Sequence, residues 1–383
     1  MNLWNITDFE ENTAIIATGG TTCSYRELDD CQKQLAMQIE KHSLVLLAME
    51  NEPESLIGYI SCLANDYVAF LLPEECTKDT FWKQINTYLP DYIWISKKKW
   101  EQWKGKEKRN FKKCFSLMKY ILLRRKETRE EVLHPDLSVL LPAPDSHDSS
   151  RTVRLSRKNV IAGASQLCEQ WQLTQGDRTF LSFSDNYFYA LSIVHALLLC
   201  GGSIVFTEKN MEPQLFSQLV EDYKITLVWG TSQTLAYMKN DISHSMAQKV
   251  RLFVKMQELM PDSAADISDA FDEEEKAKFF FLSACSEPAT WISSLSAKDR
   301  QTKQESRGTA LPDSELVIID EFSNTVFDAR REGEIVSVGG HVSMGFANDY
   351  QALSEEDRNS AILYTGISGY LDEDGYLYVT GRK

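Results

Sequence analysis

The chain has 383 residues, of which 43% are apolar, 25% charged and 11% aromatic, which is enough for a large globular unit of one domain or two closely joined ones. These proportions exclude a disordered or fibrous protein. The formal charge of -15 argues against general nucleic-acid binding, because phosphate contacts need clustered Lys and Arg.

The N-terminus and the cysteines indicate where the protein works. Residues Met1 to Glu11 lack the basic start and apolar run of a secretory signal, and no long stretch is apolar enough for a transmembrane segment. The eight cysteines include no CxxC pair and no Cys/His cluster at metal-ligand spacing, which is typical of reduced, mostly structural thiols. The sequence therefore predicts a cytoplasmic protein.

Strands and helices alternate in the first part of the chain. Helical spacing is predicted from Ser24, as the N-cap, to Ile39, from Glu54 to Leu63 and from Lys78 to Tyr88. The apolar runs SLVLLAM, YVAFLLP and DYIWISK are short enough to be buried strands between these helices. Such alternation predicts a largely parallel sheet.

A basic tract follows, with Lys or Arg at thirteen positions between Lys97 and Lys126 around Trp100, Trp103 and Phe111. Charge runs are usually solvated faces, so this pattern favours a solvated linker between two halves of the chain. The alternative is a surface for an anionic lipid, a carrier protein or nucleic acid.

The alternation restarts with the strand LSVLLPA and a helix from Ser156 to Leu173, and it continues through RLFVKM. In the helix from Tyr189 to Cys200, His195 is predicted to be a hydrogen-bonded core histidine, and Tyr187, Phe188 and Tyr189 to pack in the core or line a slot. Gly201 and Gly202 are expected to end this helix rather than to hold a nucleotide. From about Gly308, short strands joined by Gly, Asp and Asn turns predict a small antiparallel sheet.

Several motifs occur in the order found in adenylate-forming enzymes. The last three are GTALPDSELVIID, REGEIVSVGGHVSMGFAND and LYTGISGYLDEDGYLYVTGRK. Upstream, FFLSACSEPA, VRLFVKMQE, SVLLPAPDSHDSSRTVRLSRKNV and SYRELDD stand where that superfamily has its NxYGxTE, LRxxxxGGE, phosphate-loop and TYxEL motifs. The chain thus resembles, over nearly its whole length, the large N-terminal domain of the superfamily that includes acyl-CoA synthetases and peptide-synthetase adenylation domains.

The resemblance implies an α/β fold of two doubly wound subdomains, at residues 1–130 and 131–307, and a small antiparallel β subdomain at 308–383. In that superfamily, ATP and a carboxylic acid react to give an acyl-adenylate and pyrophosphate, and the acyl group then passes to coenzyme A or a carrier-protein thiol. The chain ends at Lys383, beside the superfamily's hinge, so the resemblance implies that the C-terminal domain with the adenylation lysine is missing.

The same resemblance assigns candidate site residues. Arg151 takes the place of the phosphate-loop lysine, and Glu287 that of the carboxylate that holds Mg2+ against the phosphates. The positions that would contact ATP are Ser146, Ser149, Ser286, Thr365, Gly366 and Arg382, the last as a ribose contact.

Other site positions are changed. The phosphate loop has lost every glycine and gained Asp145 and Asp148; a carboxylate about 4 Å from a phosphate costs roughly 4 kcal/mol at an effective dielectric of about 20. Ile367 replaces the aspartate that holds both ribose hydroxyls, a loss on the order of 2 to 4 kcal/mol.

These residues leave two hypotheses open. The favoured one is an inactive or partner-dependent homologue, a pseudoenzyme that acts as an acyl- or carrier-binding accessory. The alternative is an active ligase that uses ATP and Mg2+ to activate a small carboxylic acid. An acyl-carrier protein or a separate protein that supplies the C-terminal domain is the expected partner of either.

Overall fold

The computed structural model of the chain describes residues 6–17, 19–127, 132–143, 151–181, 187–207, 216–231, 235, 249–260, 279–285 and 291–383. Within these ranges, no helix is both long enough and apolar enough to cross a membrane.

The helices of the described residues begin largely where the sequence predicts them. They are α1 (Tyr25–Ala36), α2 (Pro53–Ala64), α3 (Lys78–Tyr88), α4 (Lys97–Gln102), α5 (Arg157–Trp171), α6 (Tyr187–Cys200), α7 (Phe216–Tyr223) and α8 (Ala297–Arg300), with 3-10 turns at Ile6–Phe9, Lys106–Asn110 and Gln351–Ser354. Ser24 caps α1 as predicted: its hydroxyl accepts from the Glu27 N–H, and the Glu27 carboxylate accepts from the Ser24 N–H.

The strands form three sheets. In chain order they are β1 (Thr13–Ala17), β2 (Thr22–Ser24), β3 (Leu44–Ala48), β4 (Val68–Leu72), β5 (Tyr92–Ser96), β6 (Phe111–Leu117), β7 (Tyr120–Arg125), β8 (Leu137–Pro142), β9 (Thr152–Ser156), β10 (Arg178–Leu181), β11 (Ser203–Phe206), β12 (Leu227–Gly230), β13 (Leu252–Glu258), β14 (Phe279–Ala284), β15 (Trp291–Ser296), β16 (Thr309–Ala310), β17 (Ser314–Ile319), β18 (Gly333–Gly339), β19 (Phe346–Ala347), β20 (Ile362–Leu371) and β21 (Leu377–Arg382).

Two large sheets have parallel centres and antiparallel edges. The eight-stranded sheet runs β19-β9-β8-β4-β3-β5-β7-β6, and the nine-stranded sheet runs β16-β15-β14-β13-β12-β10-β11-β1-β2. The small sheet, β17-β18-β20-β21, is antiparallel throughout, as the Gly- and Asp-rich turns predict. The α/β fold with a small antiparallel sheet is therefore confirmed.

The three-part division of the chain stays a prediction, and strand pairing crosses its boundaries. The strands β1 and β2 join the nine-stranded sheet through a parallel pairing of β1 with β11. The strands β8 and β9 join the eight-stranded sheet through a parallel pairing of β8 with β4. A sheet-based division would exchange these two segments.

The largest core cluster contains side chains from both large sheets and from the four helices α1, α2, α5 and α6. Leu47 and Val139 of the eight-stranded sheet belong to it together with Ile204 and Leu227 of the nine-stranded sheet. The two large sheets therefore pack on one shared core.

The interpretation of residues 97–126 as a linker is wrong. The tract forms α4, a 3-10 turn and the β6–β7 hairpin, and β7 pairs with β5 along five residues. The physical reason is the alternation in β7, where Ile121 and Leu123 enter one core cluster while Tyr120 and Leu122 enter another. Burial on both faces makes this segment part of the sheet.

Candidate functional site

The structure describes four of the eight residues that the resemblance assigns to the site. Ser146, Ser149, Ser286 and Glu287 lie outside the described residues, as does most of the phosphate loop. Arg151, Thr365, Gly366 and Arg382 lie within them.

Arg151 stands directly before β9, at the end of the phosphate loop. Its side chain is exposed, and the guanidinium carbon lies 3.5 Å from the centre of the Phe346 ring. Phe346 is held beside it because β19 pairs with β9, with Phe346 opposite Val153. This cation–π contact holds the positive charge of Arg151 at the surface, where an anion can reach it.

Residues 365–367 form a bulge within β20, where the pairing with β18 shifts register, and their polar groups bond to the protein itself. The Thr365 hydroxyl donates to the Ile335 carbonyl at 2.7 Å and accepts from the Ile367 N–H at 3.1 Å. Gly366 has a φ of 67°, a left-handed conformation that favours glycine. Its N–H donates to Glu334 Oε1 at 3.1 Å. The bulge is therefore held by bonds to β18.

Ile367 occupies the position where the resemblance places the ribose-binding carboxylate, and its side chain is only 6% exposed. It belongs to an apolar cluster that also contains Leu259, directly after β13, and Cys285, directly after β14. The cluster connects the small sheet to the carboxyl ends of two parallel strands of the nine-stranded sheet. Apolar packing thus fills this position.

Arg382 and Lys383 lie beside residues 365–367. Arg382 lies opposite Ile367 across the β20–β21 pairing, and its side chain is exposed. Lys383 Nζ lies 2.7 Å from Glu334 Oε2, while Glu334 Oε1 accepts from Gly366. Both oxygens of Glu334 are therefore engaged by the chain itself. Sequence reasoning missed Glu334, although its place in the GEI motif was a usable signal.

Tyr189 and Glu258 form a second polar contact near the ends of the strands. The Tyr189 hydroxyl donates to Glu258 Oε1 at 2.9 Å, and the Tyr189 ring centre lies 5.1 Å from that of Trp291. Glu258 is the last residue of β13 and is exposed. Tyr189 thus packs partly in the core and presents its hydroxyl to a surface carboxylate that sequence reasoning missed.

The described residues include a buried histidine in α6, which is not among the candidate site residues. His195 is buried, and its Nε2 lies 2.7 Å from the Tyr59 hydroxyl, so the prediction of a hydrogen-bonded core histidine is confirmed. Burial lowers the pKa of His195 from 6.5 to about 3, which keeps the imidazole neutral.

Comparison with known proteins decides the family. The sequence profile of the family described as AMP-binding enzyme matches residues 151–347, which is just over half of the 383-residue chain. The chain belongs to the AMP-binding enzyme family. The matched range begins at Arg151 and ends at Ala347, so it contains both members of the Arg151–Phe346 contact.

Relatives and solved structures of AMP-binding enzymes extend this result. The chain is 25% identical to Bacillus subtilis YngI, provisionally named an acyl-CoA synthetase, over 60% of the chain, and the match spans 42% of YngI. It is 20% identical to the 4-coumarate–CoA ligase CCL1 of Humulus lupulus, over 99% of the chain and 74% of that ligase.

Among solved structures, o-succinylbenzoate CoA synthetase (MenE) from Bacillus subtilis, a double mutant bound to a product analogue, matches with a TM-score of 0.78 at 18% identity. The superposition covers 100% of this chain and 79% of that one. The fold is therefore that of the N-terminal domain of adenylate-forming enzymes, as the sequence motifs predict.

Proposed function

We propose that this chain is an accessory member of the AMP-binding enzyme family that binds an acyl group, free or carrier-borne, without adenylating it. The observation that carries the proposal is the packing of Ile367. A carboxylate at this position would accept two hydrogen bonds from a ribose, whereas the isoleucine side chain offers none and lies among apolar neighbours. ATP binding in the manner of the family loses on the order of 2 to 4 kcal/mol.

The surroundings of Ile367 support the same proposal. The carboxylate of Glu334 lies beside residues 365–367. Its Oε1 accepts from the Gly366 N–H, and its Oε2 accepts from Lys383 Nζ. Freeing it for a ribose would leave the Gly366 N–H without that acceptor, which is unfavourable for a partly buried group. The sequence of the phosphate loop, with Asp145 and Asp148, adds like charge where a triphosphate would bind.

An acyl group remains a suitable ligand in this proposal. The half-buried ring of Tyr189, at the start of α6, lies beside the buried ring of Trp291 on β15, and the Tyr189 hydroxyl contacts Glu258. Rings of this kind bind apolar chains, and the Tyr189 hydroxyl adds a polar end. The accessory would work in the cytoplasm with an acyl-carrier protein or with a separate protein that carries the C-terminal domain.

A second candidate is an active ligase that forms an acyl-adenylate from ATP, Mg2+ and a small carboxylic acid. The exposed guanidinium of Arg151, held on Phe346 beside the phosphate loop, favours it, because that charge is placed to meet a phosphate. In this candidate Glu287 would hold the Mg2+, as the resemblance implies.

Calorimetric titration of ATP with Mg2+ separates the two candidates. We expect no saturable heat with the wild-type chain at concentrations up to several millimolar. Saturable binding that disappears in the Arg151→Ala, Glu287→Ala double variant would overturn the accessory proposal. Pyrophosphate exchange with a panel of carboxylic acids would then identify the acid.

The acyl site is tested independently by tryptophan fluorescence. We expect acyl-pantetheines to change the emission of the wild-type chain, and the Trp291→Phe variant to lose this change because Trp291 lies next to Tyr189. The matched control is Trp103→Phe, which removes a tryptophan that packs on Phe81 on the other side of the eight-stranded sheet. An emission change that survives in Trp291→Phe and is lost in Trp103→Phe contradicts the assigned site.

A further inference from the structure

The charges of the chain are segregated. Residues 97–126 carry thirteen Lys or Arg and two Glu, a formal charge of +11, whereas the other residues together carry -26. A field of this kind orients the molecule, because an anionic surface attracts the basic segment and repels the remainder.

The fold gathers this segment on one outer edge. The strand β6 is the terminal strand of the eight-stranded sheet, and α4 leads from β5 toward it. The helix and the hairpin are joined at their ends, since the Lys97 N–H donates to the Lys119 carbonyl at 2.9 Å and Lys97 Nζ donates to the Met118 carbonyl at 2.7 Å. Lysines from separate elements therefore share one surface.

A cleft of about 330 Å³ opens between α4, the following 3-10 turn and the hairpin. We call it the basic cleft. Its floor is apolar and consists of Phe111, Ile121 and Leu123, and Trp100 forms a wall. This floor can accept apolar atoms of a ligand beside its charged group.

The rim of the basic cleft carries three lysines, Lys97, Lys108 and Lys113, against one carboxylate, Glu101. Within the described part of the chain, no acidic side chain lies within ion-pair distance of Lys113 or of the neighbouring Lys98, and both are exposed. Their charge is available to an anionic partner.

An apolar tip stands next to these charges. Met118 forms the turn of the β6–β7 hairpin with a φ of 47°, and its side chain is 61% exposed. The contacts of Lys97 with the Met118 and Lys119 carbonyls place this methionine beside the cationic rim. An exposed apolar side chain beside lysines suits the interface of an anionic bilayer, where apolar groups are buried among headgroups and basic groups meet negative charge.

Two other roles, protection of the sheet edge and binding of nucleic acid, explain fewer features of this surface than lipid binding does. Lysines often protect an edge strand from pairing with other chains, but that role does not need Lys97 and Lys98 on α4. Binding of single-stranded nucleic acid uses open aromatic faces, whereas Lys108 Nζ lies 4.6 Å from the Trp100 ring centre and Lys99 Nζ lies 4.9 Å from that of Trp103. A lipid headgroup needs no free aromatic face.

We propose that the basic cleft and the Met118 tip form a docking surface for anionic phospholipid membranes. The lysines bind the phosphates of the headgroups, the apolar floor meets the glycerol and upper acyl region, and Met118 inserts between headgroups. The attachment is reversible and weakens with salt, because it depends largely on screened charge.

Vesicle co-sedimentation of the full chain tests the proposal. The probes are phosphatidylcholine vesicles and vesicles with a third of that lipid replaced by phosphatidylglycerol. We expect binding to the anionic vesicles alone, and a loss on the order of 100-fold in the binding constant for the Lys97→Gln, Lys98→Gln, Lys113→Gln variant, because each lysine near the surface contributes about fivefold. Met118→Ser is expected to weaken binding severalfold at unchanged charge.

The matched control removes the same charge elsewhere, with Lys41→Gln, Lys158→Gln and Lys298→Gln, three exposed lysines outside residues 97–126. This control should bind like the wild type, and circular dichroism should show that both triple variants are folded. Equal binding by the two triple variants, or equal binding to neutral and anionic vesicles, overturns the proposal. Tighter binding to a single-stranded oligonucleotide than to anionic vesicles at the same salt concentration overturns it as well.

Discussion

Two segments near the C-terminus, residues 341–347 and residues 365–367, lie in motifs that resemble the same superfamily, but different groups hold them in place. The first is anchored by a buried arginine. The guanidinium of Arg154, 0% exposed, donates to the carbonyls of Met344, Glu355 and Glu356 at 2.8, 2.6 and 2.9 Å. The bond to Met344, with the backbone bonds from the Arg154 N–H to the Gly345 carbonyl and from the Met344 N–H to the Arg154 carbonyl, holds the segment against β9, and the other two bonds hold residues 355–356.

The second segment is the bulge of β20. Thr365 and Gly366 hold it through bonds to β18, and Ile367 places an apolar side chain where the resemblance implies a carboxylate. The first segment is held by a buried charged side chain, whereas the second is held by backbone and hydroxyl bonds to β18 and by apolar packing.

The largest expected effect tests the anchored segment. Arg154→Met removes the donors of three backbone carbonyls, those of the buried Met344, the half-buried Glu355 and the exposed Glu356. We therefore expect the free energy of unfolding to fall by about 3–5 kcal/mol. Urea denaturation measures it. Arg358→Met, at a side chain 60% exposed, should cost about 0.5 kcal/mol or less. Equal costs would mean that Arg154 is not the anchor.

The next effect tests the changed segment. Ile367→Ala opens a cavity in the cluster shared with Leu259 and Cys285, and it should lower the free energy of unfolding by about 2–4 kcal/mol. The control on the same strand is Ile362→Ala, at a residue 37% exposed, with an expected cost within about 0.5 kcal/mol. A small cost at Ile367 would indicate that its side chain does not pack against the ends of β13 and β14.

Acid should lower the free energy of unfolding through the segment 341–347, because this segment contains a buried histidine. His341 Nδ1 lies 3.2 Å from Gln166 Nε2, and burial lowers the pKa of His341 from 6.5 to about 4. Below pH 6.5 the unfolded chain binds a proton at this histidine that the folded chain does not bind, so the free energy of unfolding decreases as the pH falls. We expect this histidine to account for about 2 kcal/mol of the loss between pH 7 and pH 5.

The measurement is chemical denaturation at a series of pH values. His341→Gln should remove that part of the acid sensitivity, and His42→Gln, at a side chain 53% exposed, should not. An unchanged pH dependence in His341→Gln would assign the acid sensitivity to other groups.

Most of the fold was predictable because its signals are local. Apolar periodicity and the cap at Ser24 predict helices that begin within a residue or two of those observed. The pairing of β1 with β11, about 190 residues apart, was not predictable, because strand order depends on long-range packing that one sequence does not display.

The candidate site was predictable only through resemblance. Arg151, Thr365, Gly366 and Arg382 could be assigned by motif, but their contacts could not, since Phe346 reaches Arg151 through a two-residue strand distant in sequence. Ile367 was identified as a replacement, whereas its burial against Leu259 and Cys285 required the packing of two sheets. The basic tract was misread because the charges around β7 hid the burial of this strand on both faces.

The smallest expected effect concerns the carboxylate beside residues 365–367. Glu334→Gln keeps an acceptor for the Gly366 N–H but removes the ion pair with Lys383, whose side chain is 53% exposed. Solvent screens such a pair, so the expected loss in the free energy of unfolding is about 0.5–1 kcal/mol and should shrink in high salt.

A double-mutant cycle with Lys383→Gln isolates this pair. If the ion pair is the only thing that Glu334→Gln removes, the double variant should be no less stable than either single variant. Additive losses would show that Glu334 and Lys383 do not interact. If Glu334→Gln lowers the free energy of unfolding much more than Lys383→Gln does, the charge of Glu334 is needed to hold the Gly366 N–H. A carboxylate would then shape residues 365–367, although Ile367 stands where the resemblance implies a ribose-binding carboxylate.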